Sequence, residues 1–311
     1  MDRSWPNWPS GRWRAGPAGY GPRCGRPGWY QPHPLAVPIR LDLVWERERC
    51  VVEIDGDDHR QAAKFAADRA RDVRLVEECA LRGVSAIVID PNNDLARLGD
   101  PWPEEPPGWE AGDRERAREY LENTDVVVWT PGRAGGRPLA FQPLVGLPSP
   151  EQRQSFVSQL QMELFVWFKR HPAQDRPLGA LPVTDEAQTF APATGTAAST
   201  RSTVLLASQA RKYGLGLVFA TQAPKGLHNH IPGNAATQFF GLLNAPIQIT
   251  AAKEMAKQKG GDVPDISRLG AGQFSVASEE SAFTKTRVPM CLTWHPKSPL
   301  TTEEVIGKSR R

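Results

Sequence analysis

Asp185 and Glu186 close one apolar run, LGALPVTDEA over residues 178–187, and Thr221-Gln222 close another, LGLVFA over residues 215–220. An apolar run of this length bounded by turn signals fits a central parallel strand covered on both faces. The tips of such strands share the sheet edge where ligands bind. There an Asp can hold Mg²⁺ through water, and a neighbouring Glu can orient and deprotonate an attacking water. A Gln on the next strand can sense a terminal phosphate. Taken alone, the Asp-Glu pair also reads as a helix start, with Asp as the N-cap.

A second constellation lies near the front. Residues 39–45 (IRLDLVW) and 50–55 (CVVEID) alternate as a hairpin pair joined by the charged link 46–49. Gly56-Asp57-Asp58-His59-Arg60 follows, then a helix over about 61–82 with Ala62, Phe65, Ala66, Val73, Val76 and Ala80 at helical spacing. Gly83 is placed to end it. Asp55, Asp57 and Asp58 at the start of this helix offer carboxylates that would attract a divalent cation. The competing reading is an exposed hairpin and helix whose charges form a solvated face.

The series Asp185-Glu186-Ala187-Gln188, Arg211-Lys212-Tyr213-Gly214, Ala220-Thr221-Gln222 and Asn234-Ala235-Ala236-Thr237 resembles the HerA/FtsK-type P-loop ATPases, which are DNA translocases and helicases. The resemblance covers about residues 81–311, and 84–94 (VSAIVIDPNND) look like the family's second core strand and following loop. It implies Asp185 as the metal and nucleotide residue, Glu186 as catalytic base and Gln222 as sensor. Arg211 would be an arginine finger reaching a neighbouring subunit. ATP and Mg²⁺ would be the cofactors. DNA would be the partner, bound by a homo-oligomeric ring or by an assembly with an intact ATPase homologue. Residues 39–75 resemble a different family, the PD-(D/E)xK endonucleases in their very-short-patch-repair-like branch. The resemblance implies that Asp42, Glu53 and Asp55 bind Mg²⁺ ahead of a helix reading Asp68-Arg69-Ala70-Arg71-Asp72, that the metal polarises a phosphodiester and generates hydroxide, and that His59 or Lys64 assists as base or charge stabiliser.

The sequence departs from the ATPase pattern at one point. It holds no G-x-x-x-x-G-K-[ST], and its nearest string, Gly307-Lys308-Ser309, falls at the end of the chain. Without that loop, the backbone N–H groups and Lys that grip the β- and γ-phosphates are missing. Pro182 sits inside the first apolar run, an uncommon place for proline in a central strand. The sequence therefore reads as an ATPase of DNA translocation or processing without its usual phosphate grip. The alternatives are an endonuclease carried by 39–75 and a non-catalytic subunit of an ATPase ring.

Composition bounds the rest. With net charge +3, overall charge does not demand a nucleic-acid partner. The basic excess sits in residues 1–38, five Arg against one Asp with fourteen Gly or Pro, a stretch that reads as a disordered tail. Cys24, Cys50, Cys79 and Cys291 are too scattered for a zinc site or a disulfide framework. No run approaches the ~18 apolar residues a membrane helix needs, so a cytoplasmic setting is the expectation. Three parts follow: the tail at 1–38, a nuclease-like hairpin and helix at 39–80, and an ATPase-like core at 81–311. The expected fold is α/β, a mostly parallel sheet flanked by helices in the manner of an incomplete RecA-like core. Further strands are expected at 126–129, 239–243, 273–277 and 287–293, and a helix starting at Ser149-Pro150-Glu151-Gln152.

Overall fold

The computed structural model describes residues 50–54, 62–131, 133, 135–137, 149–174, 176, 178–278, 281–296 and 298–310; for 50–54 and 62–70 it describes the backbone alone. The strand expected at 39–45, the turn at 55–61 and the two candidate ligands Asp42 and Asp55 lie outside these residues.

Among the described residues seven strands form one sheet: β1 (Cys50–Ile54), β2 (Ser85–Ile89), β3 (Ala180–Thr184), β4 (Leu217–Thr221), β5 (Thr237–Phe240), β6 (Gln273–Ser278) and β7 (Ser281–Arg287). Their order is β2-β3-β4-β1-β5-β6-β7. The first five are parallel, and β6 and β7 add an antiparallel hairpin at one edge. The helices are α1 (Ala62–Leu81), α2 (Asp113–Asn123), α3 (Pro150–Arg170), α4 (Thr200–Gln209), α5 (His230–Asn234), α6 (Pro246–Gln258) and α7 (Thr302–Ser309). The architecture is thus α/β, a mostly parallel sheet with helices on both faces. Among the described residues no helix is long and apolar enough to cross a membrane.

The core follows from the period-two alternation of doubly covered strands. Leu217 and Phe219 of β4 face one layer, where Phe165 and Phe168 of α3, Leu206 of α4 and Ala252 and Ala256 of α6 pack. Val218 of β4 and Leu181 and Val183 of β3 face the other, with Val73, Val76 and Cys79 of α1 and the segment around Cys291. Pro182 is tolerated because the β3–β4 ladder is interrupted there. On that side Ala180 bridges Leu215, just ahead of β4, and pairing with β4 itself begins at Val183, while the β2–β3 register runs through all five residues.

Three features differ from the sequence reading. Residues 126–129 form no strand, and Val126, Val127 and Trp129 stay 37%, 47% and 40% exposed. A β-favouring composition makes a strand only where a partner edge receives it. The last strand is β7, Ser281–Arg287, in place of one at 287–293. On the described part of α1 the charges are not a solvated face, since Arg71, Asp72, Arg74, Glu77 and Glu78 are all buried. Pairing makes this possible: Arg71 meets Asp72 at 2.5 Å, and Arg74 meets Glu78 at 2.9 Å and Asp113 of α2 at 2.8 Å. Arg116 also donates to Glu78. The start of α3 is as expected, a reciprocal cap in which Gln152 N–H donates to Ser149 Oγ and Ser149 N–H to Gln152 Oε1. Gly307-Lys308-Ser309 lie within α7 and belong to no strand-to-helix turn.

Gly214 packs directly against Ala173. Its φ is +78°, and an added Cβ would lie 2.1 Å from the Ala173 methyl. Its carbonyl also accepts Gly179 N–H at 2.7 Å just before β3. Gly214→Ala is expected to lose about 2–4 kcal/mol, from the left-handed backbone and the clash together. Urea unfolding checks this as a fall in midpoint with an unchanged slope.

Candidate functional site at the carboxyl edge of the sheet

In a parallel sheet every strand delivers its last residue to one edge. Here that edge receives Asp90 after β2, Asp185-Glu186 after β3 and Gln222 after β4. The strand order turns around β1. From β1 the chain crosses to the far edge at β2, returns through β3 and β4, then steps over β1 to β5. Reversals of this kind open the crevice in which α/β sheets bind ligands.

Glu186 and Gln222 come together. Gln222 Nε2 donates to Glu186 Oε1, and Gln188 Nε2 donates to Glu186 Oε2. Thr221 Oγ1 donates to Gln188 Oε1 at 2.6 Å, closing a polar ring across the tips of β3 and β4. From α6, Gln248 Nε2 donates to the Gln222 carbonyl at 3.0 Å. Glu186 adopts φ 49° and ψ 45°, a left-handed conformation uncommon for a residue with a side chain. Strained positions of this kind gather at functional sites. The strain has a local counterweight: Thr189 N–H and Oγ1 both donate to the Glu186 carbonyl at 2.8 Å.

Asp185 belongs to a neighbouring group. Asp90, Asp94 and Asp185 each place a carboxylate oxygen within 4.8 Å of the others. An all-oxygen donor set of this kind suits a hard divalent cation, so the residues fit the Mg²⁺ assigned to Asp185 on sequence grounds. The Asp185 N–H donates to the Ile89 carbonyl at 3.0 Å, extending the β2–β3 pairing by one residue and holding the two acidic loops side by side. Asp90 shapes its own loop by accepting Asn92 N–H at 3.0 Å and Leu95 N–H at 2.7 Å. Arg71 of α1 is held against this group. Burial lowers its guanidinium from the usual range, and the charges of Asp72 and Asp185 oppose that.

The acidic loop is tied down from behind. His295 Nδ1 lies 3.3 Å from the Asp94 carbonyl, and its Nε2 lies 3.1 Å from Thr293 Oγ1. Thr293 Oγ1 and N–H donate to Glu77 Oε1 at 2.6 and 2.8 Å, and Leu292 N–H donates to Glu77 Oε2 at 2.7 Å. Burial pushes the Glu77 carboxyl up to about 7, against these hydrogen bonds and the nearby Arg74. Trp294 N–H donates to the Asp100 carbonyl at 2.8 Å, and Lys308 of α7 donates to the Ala96 carbonyl at 3.1 Å.

Of the remaining sequence candidates, Glu53 is the fourth residue of β1, paired with Ala220 and Phe239 in the middle of the sheet. Arg211 sits in the 3₁₀ turn Ala210–Tyr213 ahead of β4, at the sheet edge opposite Glu186. Asp90, Asp94 and Gln188 are additions to the reading. The signal for Asp90 was present, because it follows its apolar run as Asp185 follows LPVT.

No protein-family model matches the chain, and no curated protein matches it. Solved structures do match in part. The genome packaging NTPase of Sulfolobus turreted icosahedral virus 2, in complex with sulfate, is 14% identical with a TM-score of 0.47, covering 78% of this chain and 97% of its own. The conjugation coupling protein TcpA of pCW3, as a monomer with ATPγS, is 11% identical with a TM-score of 0.42, covering 81% and 61%. The cytoplasmic domain of the Thermomonospora curvata type VII secretion ATPase EccC is 15% identical with a TM-score of 0.41, covering 79% and 24%.

Proposed function

We propose that this protein is an ATPase of the DNA-translocating kind, with its nucleotide chemistry at the carboxyl edge of the sheet. One observation carries the reading: Glu186 and Gln222, from the tips of adjacent parallel strands, share a hydrogen bond beside a three-carboxylate group at the edge where the strand order reverses. In this reading Asp185, with Asp90 and Asp94, holds Mg²⁺. When bound, the cation neutralises charge on the phosphates. Glu186 orients and deprotonates the attacking water. Gln222 passes the state of the terminal phosphate to α6 through its carbonyl bond with Gln248. Arg211 lies at the opposite edge, so as an arginine finger it would serve the nucleotide of a neighbouring copy. That role agrees with a homo-oligomeric ring or a mixed ring with an intact homologue.

The test is titration calorimetry of the full chain with ATPγS and Mg²⁺. Saturable binding with about one site per chain is expected, weakened at least fivefold in Asp185→Asn. Absence of binding at millimolar nucleotide would remove the reading.

A further inference from the structure

The edge opposite the nucleotide site has its own chemistry. The end of α3 and the loop after it lead into β3, and the 3₁₀ turn Ala210–Tyr213 leads into β4, so both meet at the amino edge of the sheet. They are joined there, because Ala173 N–H donates to the Tyr213 carbonyl at 3.1 Å and Gly179 N–H to the Gly214 carbonyl at 2.7 Å. Lys169, Arg170, Arg176, Arg211 and Lys212 are all exposed on these joined segments. Across residues 167–179 and 210–214 the sequence holds one acid, Asp175, which lies outside the described residues. Five cations on two short pieces of backbone make a field that a chain of net charge +3 does not foreshadow.

Beside the cations stands an aromatic platform. Trp167 is 47% exposed, far more than core packing by α3 requires. Its ring stacks on His171, with centroids 4.5 Å apart and planes 26° apart. His171 is held in that pose by Nδ1, 3.0 Å from the Trp167 carbonyl. A flat, pre-stacked ring pair costs little side-chain entropy when another ring is laid on it. Met162 and Val166, 40% and 38% exposed, continue the apolar strip along α3.

We propose that this amino edge binds single-stranded nucleic acid, with Lys169, Arg170, Arg176 and Lys212 on the phosphates and a base stacked on the Trp167–His171 pair. Cations tracking a backbone beside an exposed ring are the elements of single-strand binding. A duplex offers the phosphates but keeps its base faces stacked inside, so the platform favours the single strand. An acidic protein segment would satisfy the cations and leave the ring pair unused. The surface lies at the sheet edge opposite Glu186, and the four cations assigned to the phosphates leave out Arg211, so the proposal survives the failure of the nucleotide reading.

The experiment is fluorescence anisotropy of the full chain, without nucleotide, using a labelled 20-mer single strand, the matching duplex and poly-glutamate. The single strand is expected to bind tightest. Trp167→Ala should weaken it about five- to a hundredfold with no change in salt dependence. The double substitution Arg170→Gln with Lys212→Gln should reduce the slope of log affinity against log salt by about 1.4, the share of two phosphate contacts. These positions are exposed, so melting temperatures should stay within about 2 °C of the parent. Equal or tighter binding of duplex or poly-glutamate overturns the proposal. So does single-strand binding that neither substitution changes, or no binding at all.

Discussion

Replacing Glu186 with Gln is expected to slow ATP hydrolysis by about 10²–10⁴-fold, the usual share of a positioned general base, while nucleotide binding persists. Size and reach are preserved, and only the capacity to accept a proton is lost. Both carboxylate oxygens of Glu186 already accept amide hydrogens, from Gln188 and Gln222. An amide at 186 sets one of its own N–H groups against a donor, so the polar ring across β3 and β4 must also rearrange. The rearrangement is local to the loop tips, which is why binding and turnover separate. Phosphate release in a single turnover measures the chemistry, and calorimetry measures the binding. Turnover equal to the parent's would show that another group takes the proton. Joint loss of binding and turnover would show that residue 186 shapes the pocket instead.

The second large effect lies away from the edge. Glu77→Ala is expected to lose about 3–5 kcal/mol of stability, as breaking one side of a buried charged network does. The substitution leaves the N–H groups of Leu292 and Thr293 buried and unanswered and opens a cavity beside the fully buried Leu292. Its pH dependence follows from the raised carboxyl. In the folded chain Glu77 titrates near 7, against 4.5 when unfolded. Between those values the folded state binds the extra proton, so stability falls as pH rises, by about 1.4 kcal/mol per unit. Glu77's contribution is thus fully present below about pH 4.5 and declines by about 3 kcal/mol as pH passes 7. Arg74, Tyr120, Cys291 and His295 surround it, and comparing parent with variant isolates the share of Glu77. Urea midpoints at pH 5 and pH 8 check this: the gap between parent and Glu77→Ala should be wider at pH 5. A gap independent of pH would mean that Glu77 stays ionised throughout.

The two effects meet in one piece of chain. Glu77 holds Leu292 and Thr293, Thr293 contacts His295, and His295 contacts the Asp94 carbonyl. A loss at Glu77 therefore reaches the loop that carries the carboxylates beside Asp185.

The local signals sufficed for what is local. The apolar runs ending at Asp90, Asp185 and Gln222 marked three parallel strands and put polar residues at their tips, because side-chain period and run length are properties of adjacent residues. The cap at Ser149 was legible for the same reason, since its two partners lie three residues apart. Strand order was not legible. That β1 enters the middle of the sheet, between β4 and β5, depends on pairings across more than 160 residues. The burial of Arg71, Asp72, Arg74, Glu77 and Glu78 was hidden likewise, because a charged helix face reads as solvated until its partners are known. Asp113, Leu292 and Thr293 come from far along the chain. The sequence by itself determined the fold class and which residue types reach the strand tips. Only the tertiary structure decided that Glu186 meets Gln222, that Asp90 and Asp94 join Asp185, and that Arg211 faces away, because register and strand order are set by packing between distant segments.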